Sequence, residues 1–129
     1  MSTITITQTL EVNDFKNLLY NAWHYSHYWL DLKCDPAVDW YNAKFPETCD
    51  LPSIEDKLWA YLEAGNKVSC YDKEDVQKFS LTWAMILEGT RVFVQDFSNH
   101  YEDFLTENDD AITADVWLQC VCFGDVVYG

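Results

Sequence analysis

The chain has 129 residues, 49% of them hydrophobic, which predicts a single domain over residues 1–129 with one core. Its 22 Asp and Glu residues outnumber 8 Lys and Arg, so the formal net charge is −14. An aromatic content of 16% argues against a disordered acidic tail. The shortage of cations argues against direct binding of nucleic acid, because phosphate binding needs Lys and Arg to displace counterions.

The negative charge is concentrated in the second half of the chain. Residues 1–78 hold 13 acids and 7 bases, whereas residues 79–129 hold 9 acids and only one base, Arg91. No Lys or Arg follows Arg91. This asymmetry is the most informative electrostatic feature of the sequence.

The first predicted element is a strand over residues 3–9, where β-branched Thr and Ile residues alternate with a period of two. An amphipathic helix follows, capped by Asn13, with apolar residues from Phe15 to Trp23 at helical spacing. The short aromatic stretch at 27–32 predicts a second strand.

Residues 33–52 contain three prolines and predict a long connection that includes a short helical turn. Ser53 and Asp56 then have the spacing of a capping box, and Gly65 is placed to end this second helix. The alternation over residues 67–71 predicts a third strand.

The remainder of the chain predicts helices. Ser80 is a candidate cap for a third helix, and Asp110 caps a last helix that ends at Gly124, before an extended tail over 125–129. The predicted fold class is therefore α+β, a small antiparallel sheet of about three strands with helices packed on one face, in the order β-α-β-α-β-α-α.

The sequence contains no residue set that identifies a reaction. The five cysteines include no C-x-x-C pair and predict free thiols in a reducing compartment. His24 and His27 have helical metal-ligand spacing, but residue 27 falls in a predicted strand. We therefore expect a protein that is not an enzyme and holds neither a cofactor nor a metal. No apolar stretch approaches the ~20 residues of a membrane span, and no secretion signal is visible.

Two groups of residues are candidates for binding a partner. The first is an acidic run, which either solvates the surface or imitates the phosphate array of a nucleic acid. The second is a set of aromatic residues near the proline-bearing connection, where exposed Tyr or Trp side chains anchor interfaces or stack on nucleobases. The predicted partner-binding residues are Asp96, Glu102, Asp103, Glu107, Asp109, Asp110, Tyr28, Trp29, Trp40 and Tyr41.

Both ends of the chain carry distinctive residues. The first part contains Ile4-Thr5-Ile6, Leu10, Asp14, Leu18-Leu19 and Tyr28-Trp29, and the last part contains D-A-x-T-A-D-V at 110–116, Gln119 and F-G-D-V-V-Y-G at 123–129. These residues resemble a family of small uncharacterised tailed-phage accessory proteins. The chain departs from that family at Ser26-His27, where Gly-Gly is frequent, and in its longer connection at 33–52. The resemblance implies a phage protein in a bacterial host cytoplasm, and it assigns no activity to any residue.

Together, these features predict a non-enzymatic phage counter-defence protein. We expect an acidic, anti-CRISPR-like inhibitor that mimics DNA and binds a bacterial host protein with a basic nucleic-acid-binding surface. We expect it to contact neither nucleic acid nor membrane directly. We expect a monomer or a homodimer. Two alternatives stay open: a small-ligand binder that sequesters a nucleotide immune signal at Tyr28, Trp29 or Trp40, and a phage structural or assembly protein. A single interface requires Trp29, Trp40 and the acids to share one exposed face.

Overall fold

A computed structural model, which describes residues 2–108 and 110–129, contains a three-stranded sheet and six α-helices in those residues. The strands are β1 (Leu30–Leu32), β2 (Val68–Asp72) and β3 (Gln77–Leu81). The helices are α1 (Lys16–Tyr25), α2 (Asp35–Lys44), α3 (Ile54–Glu63), α4 (Trp83–Asp96), α5 (Ser98–Leu105) and α6 (Ala111–Phe123). The predicted α+β class and the small antiparallel sheet of three strands are confirmed.

The sheet has the order β1-β2-β3, and both pairings are antiparallel. Along β2, the side chains of Val68 and Cys70 are buried while that of Ser69 is exposed, so one face of the sheet meets the core. Phe79 of β3 lies opposite Cys70 on that face and contacts Phe123 of α6, with 6.2 Å between the ring centroids. The helices therefore cover one face, as the alternation in β2 predicted.

The predicted strand over residues 3–9 is wrong. These residues are exposed and belong to no sheet, and the third strand is instead β3. Ile6 and Leu10 lie along α4 instead, and the sheet takes its third strand from the hairpin that β2 and β3 form through residues 73–76. The β-branched alternation indicated an extended backbone, but pairing needs an edge within reach.

The capping signals of the sequence are largely confirmed. Ser53 and Asp56 form the capping box of α3, in which the Ser53 hydroxyl accepts a hydrogen bond from the Asp56 N–H at 3.1 Å. Gly124 ends α6 with φ +75°, and Asp110 accepts the N–H of Thr113 at 2.9 Å. Asn13 is not a cap, because its side chain accepts the indole N–H of Trp59 at 2.8 Å.

Helices α4 and α6 approach each other closely at Gly89. This glycine is buried in the middle of α4, and a Cβ atom built on it would lie 2.8 Å from the carbonyl carbon of Cys120 and nearer still to the Val121 backbone. Thr82 caps α4 instead of Ser80, which lies in β3. The centre of α6 is buried without interruption over residues 113–121, so it is the helix around which α1 and α4 pack.

Candidate functional site

The acidic surface consists of Asp96, Glu102, Asp103, Glu107 and Asp110, all of them exposed. Asp109, the sixth acid predicted for this site, lies outside the described residues. The exposure of most of these acids follows from the way α5 packs and from the residues that follow it.

Helix α5 presents its acids to solvent because its aromatic side packs on the core. Tyr101 and Phe104, three residues apart, stack on Phe15 with centroid distances of 6.1 and 4.9 Å. Glu102 and Asp103 therefore point outward. This geometry is what a short amphipathic helix gives when only one face reaches the core.

Hydrogen bonds hold residues 106–108, which follow α5. The Thr106 hydroxyl donates to the carbonyl of Glu102 at 3.0 Å, and the Asn108 N–H donates to the carbonyl of Asp103 at 2.8 Å. Glu107 adopts a left-handed backbone conformation with φ +59°. The backbone that carries Glu102, Asp103 and Glu107 is therefore held by local hydrogen bonds.

The positions of three of these acids do not favour folding. Asp96 is the last residue of α4, and Glu102 and Asp103 lie in the last turn of α5, where the negative end of the helix dipole disfavours carboxylates. Among the described residues, none of the ion pairs involves an acid of this surface. Like charges without counter-charges reduce the stability of a compact state. The requirements of the fold therefore account for Asp110, which caps α6, but not for Asp96, Glu102 and Asp103.

The prediction that Trp29 is an exposed anchor is wrong. Its side chain is 0% exposed, and its indole N–H donates to Asp115 Oδ1 at 2.8 Å. Tyr28 is 42% exposed, but its hydroxyl is engaged at 2.6 Å from Asp115 Oδ2, so only its ring is available to a partner. The sequence missed this because the acid that binds both side chains is 86 residues away along the chain.

Trp40 and Tyr41 are half-buried on α2 and pack within their own neighbourhood. The Trp40 ring meets Tyr61 of α3 edge-on at 5.5 Å, and Lys44 Nζ lies 5.0 Å from its centroid. Helix α2 packs on α3, whereas α5 packs on α4 and α6. The prediction that Trp29, Trp40 and the acids share one exposed face is therefore wrong, because Trp29 is buried.

Other aromatic side chains lie beside the acidic surface. Tyr20 and Tyr25 of α1 are 50% and 43% exposed, and with His24 they line an open cleft whose other wall is Asp110 and Ala111. The sequence contained a signal for Tyr20, which falls outside the apolar stripe of α1. Tyr20 and Tyr25, and not Trp29, therefore border one acid of this surface, Asp110.

A buried polar cluster surrounds Asp115, which is 5% exposed on α6. Its Oδ1 accepts hydrogen bonds from the Ser26 hydroxyl at 2.6 Å and from the Trp29 indole. Its Oδ2 accepts from the Tyr28 hydroxyl and from the Gln119 amide at 2.9 Å. An ionised carboxylate only accepts hydrogen bonds, so four donors suit it. We call these five residues the Asp115 cluster.

Gln119 extends this cluster to the C-terminal tail. Its Oε1 accepts the N–H groups of Val127 and Tyr128 at 2.8 and 2.7 Å, and its Nε2 donates to the carbonyl of Tyr128 at 3.0 Å. The Tyr128 hydroxyl then donates to Asp72 Oδ2 at 2.7 Å. The residues of the end motif therefore meet in the fold, where they hold the tail against α6 and the β-hairpin.

The Tyr128–Asp72 hydrogen bond predicts a pH dependence of stability. The bond raises the pKa of Tyr128 from 10.0 to about 12, because the phenol must keep its proton to donate. A raised pKa in the folded state means that this contribution is complete below pH 10 and is lost as pH rises from 10 to about 12. Urea midpoints measured across this range should fall less steeply in Tyr128→Phe than in the wild type. Equal slopes would contradict the prediction.

The thiols are protected by burial. The five cysteines are free, and burial raises the pKa of Cys34, Cys70 and Cys120 from 9.0 to about 12. Burial raises the pKa of Cys122 as well. Since the thiolate is the reactive form, these four groups are poor nucleophiles at neutral pH.

Within residues 2–108 and 110–129, no three His, Cys, Asp or Glu side chains converge in an arrangement that could bind a metal ion. Over the same described residues, none of the helices combines the length and the apolarity required to cross a bilayer.

Comparison with known proteins does not assign the chain to a family. No protein-family model matches it, and neither curated proteins nor solved structures gave a match. The resemblance of the two chain ends to tailed-phage proteins therefore stays a prediction from the residues.

Proposed function

We propose that this protein is a non-enzymatic phage counter-defence protein that acts in the bacterial cytoplasm. In this proposal, the acidic surface binds a basic nucleic-acid-binding groove of a host defence complex and competes with the nucleic acid. The observation that carries the proposal is the set of exposed acids on α5 and its flanks. Within the described residues none of them forms an ion pair, and Asp96, Glu102 and Asp103 lie where they oppose folding.

Electrostatics supports this class of partner. A surface of one sign steers association with a surface of the opposite sign and fixes the orientation of the complex. The partner should therefore be cationic, as grooves that bind DNA or RNA are. Tyr20 and Tyr25, which border Asp110, supply aromatic contact area at the edge of this surface.

The geometry favours this function over a nucleotide binder at the predicted aromatic residues. Trp29 is buried with its N–H satisfied, and Trp40 packs on Tyr61, so neither lines an open pocket as a stacking platform. The aromatic set that motivated the ligand-binding alternative is instead largely structural.

The test compares two triple variants with the same change in net charge. Glu102→Gln, Asp103→Asn and Glu107→Gln neutralise the acidic surface, and a matched control changes three exposed acids elsewhere, Glu47→Gln, Asp50→Asn and Glu63→Gln. Each chain is expressed in bacterial strains that carry one nucleic-acid-guided defence system, and phage plating efficiency is measured.

We expect the wild type and the matched control to restore plating on at least one strain. The surface variant should lose at least about ten-fold of that protection, because removing charges from a complementary interface weakens association. Binding of the purified defence complex should weaken steeply as salt rises. Salt-insensitive binding, or full protection by the surface variant, would contradict the mechanism. Thermal melts should show the surface variant to be at least as stable as the wild type, since the removed acids oppose the helix dipoles.

A further inference from the structure

The N-terminal arm, residues 2–10, is the segment whose sequence pattern the fold does not use. All of its residues are exposed, and Ile4 and Ile6 are 89% and 85% exposed. Within the described residues, no backbone hydrogen bond joins the arm to another element. The arm thus has the composition of a strand but no strand partner.

The arm has two chemically different faces. Side chains two residues apart lie on the same side of an extended backbone, so Ile4 and Ile6 share one face and Thr3, Thr5 and Thr7 share the other. Large exposed apolar residues next to unpaired N–H and C=O groups form a template for pairing with another chain. The arm therefore has what a β-pairing surface needs.

The arm is also complementary to itself. Residues 2–10 contain no charged side chain, although the whole chain carries a net charge of −14. Two copies repel each other over most of their surface, and an uncharged segment avoids that repulsion. An antiparallel pair centred on Thr5 places Ile4 opposite Ile6 and Thr3 opposite Thr7, which are favourable β-branched pairs.

The structure provides a place for the isoleucine face of such a pair. Ile6 and Leu10 border an open cleft of about 420 Å³ along α4, where Leu87 and Val94 supply the apolar part of a wall that also holds Thr90, Arg91 and Gln95. Leu87 is itself 47% exposed. A two-stranded ribbon needs an apolar surface to pack against in order to be stable, and this cleft supplies one on each copy.

We propose that the protein forms a homodimer in which the N-terminal arms of two copies pair as an antiparallel ribbon centred on Thr5. The ribbon packs its isoleucine face on the α4 clefts of both copies. The interface is isologous, so it closes at two copies and does not extend into a filament. This inference does not depend on the proposed function.

The first test is sedimentation velocity on the full chain over a wide concentration range. The wild type should sediment as a dimer, and Ile4→Asn with Ile6→Asn should weaken self-association at least about ten-fold, since four isoleucines per dimer lose their burial. Leu51→Asn is the matched control, because Leu51 is 83% exposed and lies outside the arm. It should leave the dimer unchanged. The substituted side chains are exposed within a single copy, so the far-UV circular dichroism spectrum of each variant should match that of the wild type.

The second test checks the register. Residues directly opposite each other in an antiparallel pair have Cα atoms ~5 Å apart, within disulfide range. Thr5→Cys should therefore form a Cys–Cys link between position 5 of the two copies under mild oxidation, identified by peptide mapping. Thr9→Cys should not link to itself. A monomeric wild type, a dimer that persists in the isoleucine variant, or equal linking at the two positions would overturn the proposal.

Discussion

Replacing Asp115 with Asn is expected to destabilise the protein by about 2–4 kcal/mol, although the two side chains have almost the same shape. The carboxylate is buried and accepts four hydrogen bonds. An amide has one acceptor oxygen and one NH₂ donor, so one side of the cluster must meet a donor.

Neither orientation of the new amide avoids this conflict. On the Oδ1 side, the NH₂ group would face the indole N–H of Trp29, which cannot accept. On the Oδ2 side, it would face the NH₂ group of Gln119, whose own oxygen is held by the N–H groups of Val127 and Tyr128. A buried donor without an acceptor costs ~1–3 kcal/mol, and loss of the charge-assisted bonds adds to this.

Chemical denaturation of Asp115→Asn measures the effect, and Asp110→Asn is its matched control. Asp110 is exposed and caps the same helix, where Asn is an equally good N-cap, so the control removes one charge at little cost. A loss for Asp115→Asn no larger than that of the control would show that the cluster does not stabilise the fold. Since small domains have only about 5–15 kcal/mol of stability, the expected loss is a large fraction of the total.

The second large effect is expected at Gly89. Gly89→Ala should destabilise the protein by about 3 kcal/mol, because the new Cβ would lie less than 3 Å from the backbone of Cys120 and Val121. Backbone atoms of a buried helix cannot rotate away as a flexible side chain can. Helices α4 and α6 would have to separate along their contact.

The sign of this effect is what makes the measurement decisive. In an exposed helix, Ala is more favourable than Gly by ~1 kcal/mol, so propensity alone predicts that Gly89→Ala stabilises the protein. Ala84→Gly, at an exposed position of the same helix, exchanges the same two residues in the opposite direction and should cost up to about 1 kcal/mol. A Gly89→Ala protein as stable as the wild type in urea would contradict the close approach.

Local signals predicted local structure well. The capping box at Ser53 and Asp56, the cap at Asp110 and the left-handed Gly65 and Gly124 all depend on side chains and backbone within a few residues. The same holds for the alternation of β2. Such patterns can be predicted from the sequence because the interacting groups are close in the chain.

Contacts between residues that are distant in the chain could not be predicted from the sequence. The arm at residues 2–10 has the alternation of a strand, but only the fold decides whether a sheet edge reaches it. Trp29 is a residue type that often anchors interfaces, but in the fold its indole N–H donates to Asp115 of α6. The close approach at Gly89 depends on α6, which is distant in the chain and lies against it only in the fold.

For the candidate site, the charge follows from composition alone, whereas the geometry follows from packing. The absence of Lys and Arg after Arg91 is a property of composition, and no fold can change it. Packing decided that the acids face outward, because Tyr101 and Phe104 turn the other side of α5 toward Phe15. Packing also decided which aromatic residues border them, since burial is settled by contacts between distant segments and not by residue type.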